Sequence, residues 1–132
     1  MSGPYKLMDE NWVKKYMEVF NDDPETTPNL KDFSALVQMG ITDGDQRSFQ
    51  VIVENGKIVY SGPILEGKKP DFIINTSIEN WRKIGEKKLG VKSAVVTRKL
   101  KIQGSIPVAM KYLKGLTGAL QVFGKIDTDW NV

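Results

Sequence analysis

The sequence predicts an α+β layer fold, in the order helix, three antiparallel strands, strand, helix, strand, helix. Three stretches carry that prediction. FQVIVENGKIVY, Phe49 to Tyr60, places Asn55-Gly56 between two strand-like runs, and this pair supplies the positive-φ residues of a tight hairpin. DFIINTSIENWRKI, Asp71 to Ile84, passes from a short apolar strand straight into a capped helix. AVVTRKLKIQGSIPVAMKYL, Ala94 to Leu113, reads as a helical turn, a strand, a glycine hinge and an apolar helix that folds back.

The elements follow in chain order. Asp9 to Asn21 reads as a helix capped by Asp9, with Met8 placed to pair with Val13 as a hydrophobic staple. Trp12, Tyr16, Val19 and Phe20, with Val13 and Met17, give it a wide apolar face. Residues 22–31 are polar, hold Pro24 and Pro28, and read as a surface connection. Phe33 to Thr42 is apolar enough for a strand, although its alternation is poor. Asp43-Gly44-Asp45 turns the chain into Ser48 to Glu54, where Phe49, Val51 and Val53 share one face. Lys57 to Ser61 returns from the hairpin, Gly62-Pro63 ends it, and Gly67 to Pro70 is a polar loop.

Asp71 to Asn75 is the fourth strand, with Phe72 and Ile74 on one face. Thr76-Ser77-Ile78-Glu79 reads as a capping box with Thr76 as the cap, and Ile78, Trp81 and Ile84 point inward. The helix is expected to run to about Leu89, where Gly90 stops it in a left-handed conformation. A helical turn over Ser93 to Val96 leads into the fifth strand, Arg98 to Gln103, with Leu100 and Ile102 on its buried face. Gly104 breaks the strand, Ser105 caps the next helix, and Pro107 is tolerated in its first turn. The stripe Ile106, Ala109, Met110, Leu113 continues through Leu116, Leu120 and Phe123. Gly115 and Gly118 mark either a break between two helices or close small-residue contacts within one.

Composition narrows the function classes. The length, 132 residues, is that of one domain, expected to span residues 1–132 with a core of its own. There is no cysteine and no histidine, which removes thiolate chemistry, the commonest general base and the commonest metal ligand. Nothing in the sequence asks for a metal or a cofactor. Asp43-Gly44-Asp45 lacks the later glutamate of a calcium loop, and Gly115-x-x-Gly118 is not a nucleotide loop. Asp127 and Asp129 pair two acids near the chain end, a poor place for a preorganised site. Ser105 has no histidine to activate it. The expectation is a protein that is not an enzyme. No apolar run approaches the length of a membrane span and no signal or peroxisomal tripeptide is visible, so a cytoplasmic location is expected.

Charge is uneven around a net +3. Residues 1–30 hold three lysines against six acids, whereas residues 82–101 hold eight lysines and arginines against Glu86 alone. The basic stretch, with Lys87, Lys88, Lys99 and Lys101, suits an anionic head group or membrane surface, or is simply solvated. It lacks the interleaved aromatics that stack bases, which argues against nucleic acid.

Taken together, the hairpin, the strand running into the Trp81 helix, and KLKIQG (Lys99 to Gly104) followed by a small-residue apolar helix with Ala109 and Met110 resemble the sterol carrier protein type 2 family. The likeness covers about residues 10–124. The segment before Phe33 is longer and more acidic than in compact eukaryotic members, which points to a prokaryotic-type stand-alone member. The resemblance implies a five-stranded, mostly antiparallel sheet covered on one side by helices, with an apolar tunnel between them. It implies a non-catalytic carrier of a fatty acid, fatty acyl-CoA or sterol-like ligand, or, alternatively, an accessory module of the same fold with no cavity that partners a lipid-metabolising enzyme. Tunnel walls are then expected from Phe72, Ile74, Leu100, Ile102, Met110 and Leu113, with Trp81, Leu116, Leu120 and Phe123 as further candidates. The first six positions serve plain core packing equally well, Trp81 reads more as a core anchor than a ligand platform, and Leu116, Leu120 and Phe123, flanked by glycines, read as a mobile lid. A transient anionic membrane surface is the expected second partner.

Overall fold

A computed structural model describes residues 4–132. Five strands form the main sheet: β2 (Ala35–Ile41), β3 (Ser48–Glu54), β4 (Lys57–Gly62), β5 (Phe72–Thr76) and β6 (Lys101–Gln103). Their order across the sheet is β4-β3-β2-β5-β6, and every neighbouring pair is antiparallel except β2 with β5. Short ladders across the sheet set its inner face: Ala35, Val37, Met39 and Ile41 beside Val53, Val51 and Phe49 on one flank, and beside Phe72, Ile74 and Thr76 on the other. The hairpin turns as the sequence predicts, with Asn55 at φ 49° and Gly56 at φ 86°. The poor alternation of β2 has a physical cause. It is the central strand, so both of its faces are at least partly covered and little selects for polar residues.

The helices lie on that inner face. α1 (Glu10–Asp22) starts at Asp9, whose carboxylate accepts the Trp12 N–H at 2.9 Å. Its buried face, Trp12, Val13, Tyr16 and Phe20, meets Phe49 of β3 and Phe123 in a cluster of rings with centroids 4.9–5.9 Å apart. The side-chain amide of Asn21 ties α1 to β4 by donating to the Ile58 carbonyl at 2.9 Å and accepting its N–H at 2.8 Å. α2 (Ile78–Gly85) and α3 (Val91–Val96) connect β5 to β6, and α4 (Ile106–Lys111) and α5 (Leu113–Gln121) follow.

Several local expectations change. The cap of α2 is Ser77, whose hydroxyl accepts the Asn80 N–H at 3.1 Å. Thr76 instead ends β5 and buries its hydroxyl, which donates to the Lys99 carbonyl at 2.6 Å. α2 stops at Gly85, not Leu89. Gly90 is extended (φ −70°, ψ 140°) and begins α3, while Lys87 is the left-handed residue there, at φ 62°. The fifth strand is shorter than expected because Arg98, at φ 61°, turns the chain before it. The last long helix breaks at Tyr112 (φ −105°, ψ 20°), so Gly115 and Gly118 are contact points inside α5. A Cβ on Gly115 would lie 2.5 Å from Leu30, and one on Gly118 would lie 2.6 Å from the Thr26 hydroxyl.

The connection over residues 22–31 is accordingly not a solvated loop. It holds a 3-10 turn at Pro28–Leu30, and it buries Asp23, Thr26 and Leu30 beneath α5. Burial alone would raise the Asp23 carboxyl. The Thr26 hydroxyl at 2.5 Å, the Lys125 ammonium at 2.9 Å and the Glu25 N–H outweigh it and hold the group below its ordinary value. The chain ends also pair: β1 (Tyr5–Lys6) lies parallel to β7 (Thr128–Asp129), and the Trp12 indole donates to the Thr128 hydroxyl at 3.0 Å. Trp130 follows β7 and packs, partly buried, against the core.

Candidate functional site

Between the sheet and α3, α4 and α5 lies a cavity of about 40 Å³. The sheet contributes Val37, Phe72, Ile74 and Ile102. α3 contributes Val91, Val95 and Val96, α4 contributes Ile106, Ala109 and Met110, and α5 contributes Leu113, Leu116 and Leu120. Lys92 is the one charged side chain on the wall. A second void of about 20 Å³ backs onto the first, shares Val37, Ile74, Leu116 and Leu120 with it, and reaches Tyr16, Phe20 and Leu30 beneath α1. Together their walls extend from α3 and α4 to Tyr16 and Phe20 of α1. Such walls offer no hydrogen bond and no fixed charge beyond Lys92, so the space suits an apolar body and not water.

The local sequence sets the roof. Gly104 has φ +136°, and a Cβ there would lie 2.5 Å from the Asp71 carbonyl oxygen. The chain can therefore cross the edge of β5 tightly and throw α4 back over the cavity. Ser105 caps α4, its hydroxyl accepting the Val108 N–H at 3.4 Å. α4 is held lightly, because Ala109 is its one buried residue. At its far end the Tyr112 ring packs edge-on against Phe33, with centroids 5.1 Å apart.

Of the residues picked from sequence, Phe72, Ile74, Ile102, Met110, Leu113, Leu116 and Leu120 meet around the cavity. Trp81, Leu100 and Phe123 do not line it. Trp81 is fully buried, its indole donates to the Gly40 carbonyl at 2.8 Å, and it stacks on Phe123 with centroids 4.2 Å apart. Phe123 also packs against Trp12 and Tyr16. Leu100 is buried where α3 turns into β6, and its N–H donates to the Ala94 carbonyl. These three are core anchors. Sequence reasoning missed the wall from α3, although the spacing of Val91 and Val95 on one helix face was a usable signal. It also left Ile106 and Ala109 out of the wall although they share the stripe with Met110.

The four lysines named for a basic patch differ in setting. Lys88 pairs with Glu86 at 3.3 Å, whose carboxyl is lowered chiefly by that contact. Lys87, Lys99 and Lys101 are exposed, and Lys101 lies on β6 opposite Asn75. Tyr16, at the inner void, is the titratable group most changed by the fold: burial, then the nearby Asp23 charge, raise its phenol. No cluster of metal-ligating side chains occurs among the described residues. No helix among them is long and apolar enough to cross a membrane.

The family model described as the SCP-2 sterol transfer family matches residues 13–116. The chain belongs to that family. Its fold is similar to a crystal structure of sterol carrier protein 2, with a TM-score of 0.81 at 16% identity over 92% of this chain and 99% of the other. It is similar also to a conserved hypothetical protein of Thermus thermophilus, described as possibly a sterol carrier protein. There the TM-score is 0.78 at 16% identity, over 98% of this chain and 94% of the other. A palmitated SCP2-like protein of Aedes aegypti gives 0.57 at 20% identity, over 80% and 89% of the two chains. No curated protein sequence matches. At these identities the structural likenesses establish the fold, and membership in this lipid-transfer family rests on the family model.

Proposed function

We propose that this SCP-2 family member is a non-catalytic carrier that holds a fatty acyl chain, as a fatty acid, an acyl-CoA or a related lipid, in the cavity beneath α4. The observation that carries this is the wall: thirteen apolar residues and Lys92 enclose a narrow slot between sheet and helices. Burying a methylene gains roughly 0.8 kcal/mol, so about ten methylenes supply about 8 kcal/mol before the costs of association. Micromolar binding then needs no polar contact along the chain. The slot as it stands has room for only a few water-sized spheres, each needing roughly 10–15 Å³. Loading therefore widens it, and α4, anchored by Ala109 between Gly104 and Tyr112, is the element whose displacement costs least. The palmitated relative is consistent with an acyl cargo. On this reading residues 1–132 act as one domain in the cytoplasm, and Lys92 sits where an acidic head group would emerge. The test is titration of delipidated protein with a fluorescent fatty acid. Saturable, micromolar binding displaced by unlabelled fatty acid is expected, and absence of saturable binding refutes the carrier.

A further inference from the structure

Tyr16 carries the one hydroxyl in the wall of the inner void, which holds no side-chain amide and no charged group. It is wholly buried in α1, among the rings of Trp12, Phe20, Phe49 and Phe123. A phenylalanine would fill that place without the cost of burying a polar atom. The phenol donates its proton to the Ala119 carbonyl of α5 at 2.8 Å, and its other polar neighbour is the Met39 thioether of β2 at 4.0 Å. A phenol has one proton to give, and its oxygen also accepts. Both contacts run outward from the hydroxyl, so among the described residues the acceptor side of that oxygen is unfilled.

Tyr16, Ala119 and Met39 all line the inner void, which places the hydroxyl and both of its neighbours at the void's wall. The void measures about 20 Å³, space for one water-sized group at roughly 10–15 Å³. A buried water makes about three hydrogen bonds, and here it would find a single free acceptor. A hydroxyl carried on an apolar chain suits the space better, because it brings one donor while the chain supplies the burial. The inner void shares Val37, Ile74, Leu116 and Leu120 with the outer cavity, where Lys92 stands. The two ends therefore differ in chemistry. The outer end offers a cation. The inner end offers a neutral acceptor, since burial and the Asp23 charge both raise the phenol and keep it protonated. A carboxylate turned inward would meet no cation on the wall.

We infer that Tyr16 reads the far end of the cargo, and that this carrier takes acyl chains bearing a hydroxyl at the end remote from the carboxylate, whose O–H donates to the Tyr16 oxygen in the inner void. This rests on the carrier reading above and adds to it the class of chain that is carried.

The test is displacement of a fluorescent fatty acid from delipidated protein by matched pairs: decanoic, dodecanoic, tetradecanoic and hexadecanoic acids, each beside its ω-hydroxy derivative. A buried hydroxyl without a partner loses about 5- to 140-fold in affinity. In wild type that penalty is expected at most lengths and disappears at the length whose end reaches Tyr16, where the two acids agree within about threefold. In Tyr16→Phe the ratio of hydroxy to plain affinity at that length should fall by about 5- to 140-fold. Loss of a merely structural tie between α1 and α5 weakens both acids alike and leaves the ratio unchanged, so an unchanged ratio in the folded variant overturns the inference. NMR of wild-type protein labelled at the tyrosine Cζ needs no variant. The Tyr16 signal should move further with the matched hydroxy acid than with its plain partner, and equal movement overturns the inference. Plain acids that bind while hydroxy acids are rejected at every length overturn it and leave the carrier standing. Binding of neither kind refutes both.

Discussion

Replacing Ala109 with phenylalanine probes the cavity at the point where the roof touches it. Ala109 is the buried residue of α4 and faces the slot. A ring at this position occupies the 40 Å³ void and extends past it, toward Leu113 and Leu116. Two effects compete. Overpacking a formed core costs roughly 1–3 kcal/mol, and here the cost falls at the low end because α4 can shift outward. For the cargo, a ring that denies space to about five methylenes removes about 4 kcal/mol of burial, close to a thousandfold in affinity. The assay is the fluorescent fatty acid titration, run beside urea unfolding of the same variant. The matched control is Phe123→Leu, which strips the ring from Trp12, Tyr16 and Trp81 but leaves the cavity wall untouched. Aromatic pairs are worth roughly 0.5–1.5 kcal/mol each, so with three pairs lost the control should give up about 1.5–4.5 kcal/mol of stability and almost no affinity. A folded Ala109→Phe that binds as tightly as wild type would refute the placement of the cargo beneath α4.

Three further outcomes follow from the same geometry. Gly124→Ala should destabilise severely, by thermal melt, because a Cβ there meets the Gly85 carbonyl, which is backbone and cannot swing away. Removing the Asp23 charge with Asn should cost about 1–3 kcal/mol at neutral pH. The folded pKa of Asp23 lies below the unfolded value, so its contribution is full above the unfolded pKa, near 3.8, and is lost as pH falls through the folded one. Urea midpoints measured against pH should therefore fall less steeply on the acid side in the variant, and identical acid limbs would contradict the linkage. Affinity for saturated fatty acids should rise by about fourfold per added methylene and then level off once the widened slot is full; a series with no dependence on length would mean that the chain is not buried.

What the residues disclosed in advance was local. Asn55-Gly56 gave the hairpin, Asp9 and Ser105 gave two caps, and the stripe through Met110, Leu113, Leu116 and Leu120 gave the helical side of the cavity. Each is set by neighbours a few positions away. The misses depend on partners distant in sequence. Thr76 and Ser77 both offer a capping hydroxyl, and only the approach of Lys99 decides that Thr76 stays with the strand. Asp23, Thr26 and Leu30 read as solvated because nothing nearby reveals that Gly115 and Gly118 bring α5 down upon them. The pairing of β1 with β7 joins two-residue segments at opposite ends of the chain and leaves no periodic trace. Trp81 and Phe123 have the composition of a cavity wall, yet they stack on each other and close the core instead. The exposure of Ile106 and Met110 was equally hidden, since a stripe reports which face is apolar and not whether anything covers it.

Methyl-resolved NMR of the delipidated protein during addition of a fatty acid tests the central claim most directly. On the carrier account, the methyl signals of Ile74, Ile102, Ile106, Leu113 and Leu116 shift together and saturate with the ligand, while those of Ile52 and Ile73 on the outer sheet face stay in place. Shifts confined to the outer face, or none in the cavity wall at saturating fatty acid, would contradict it.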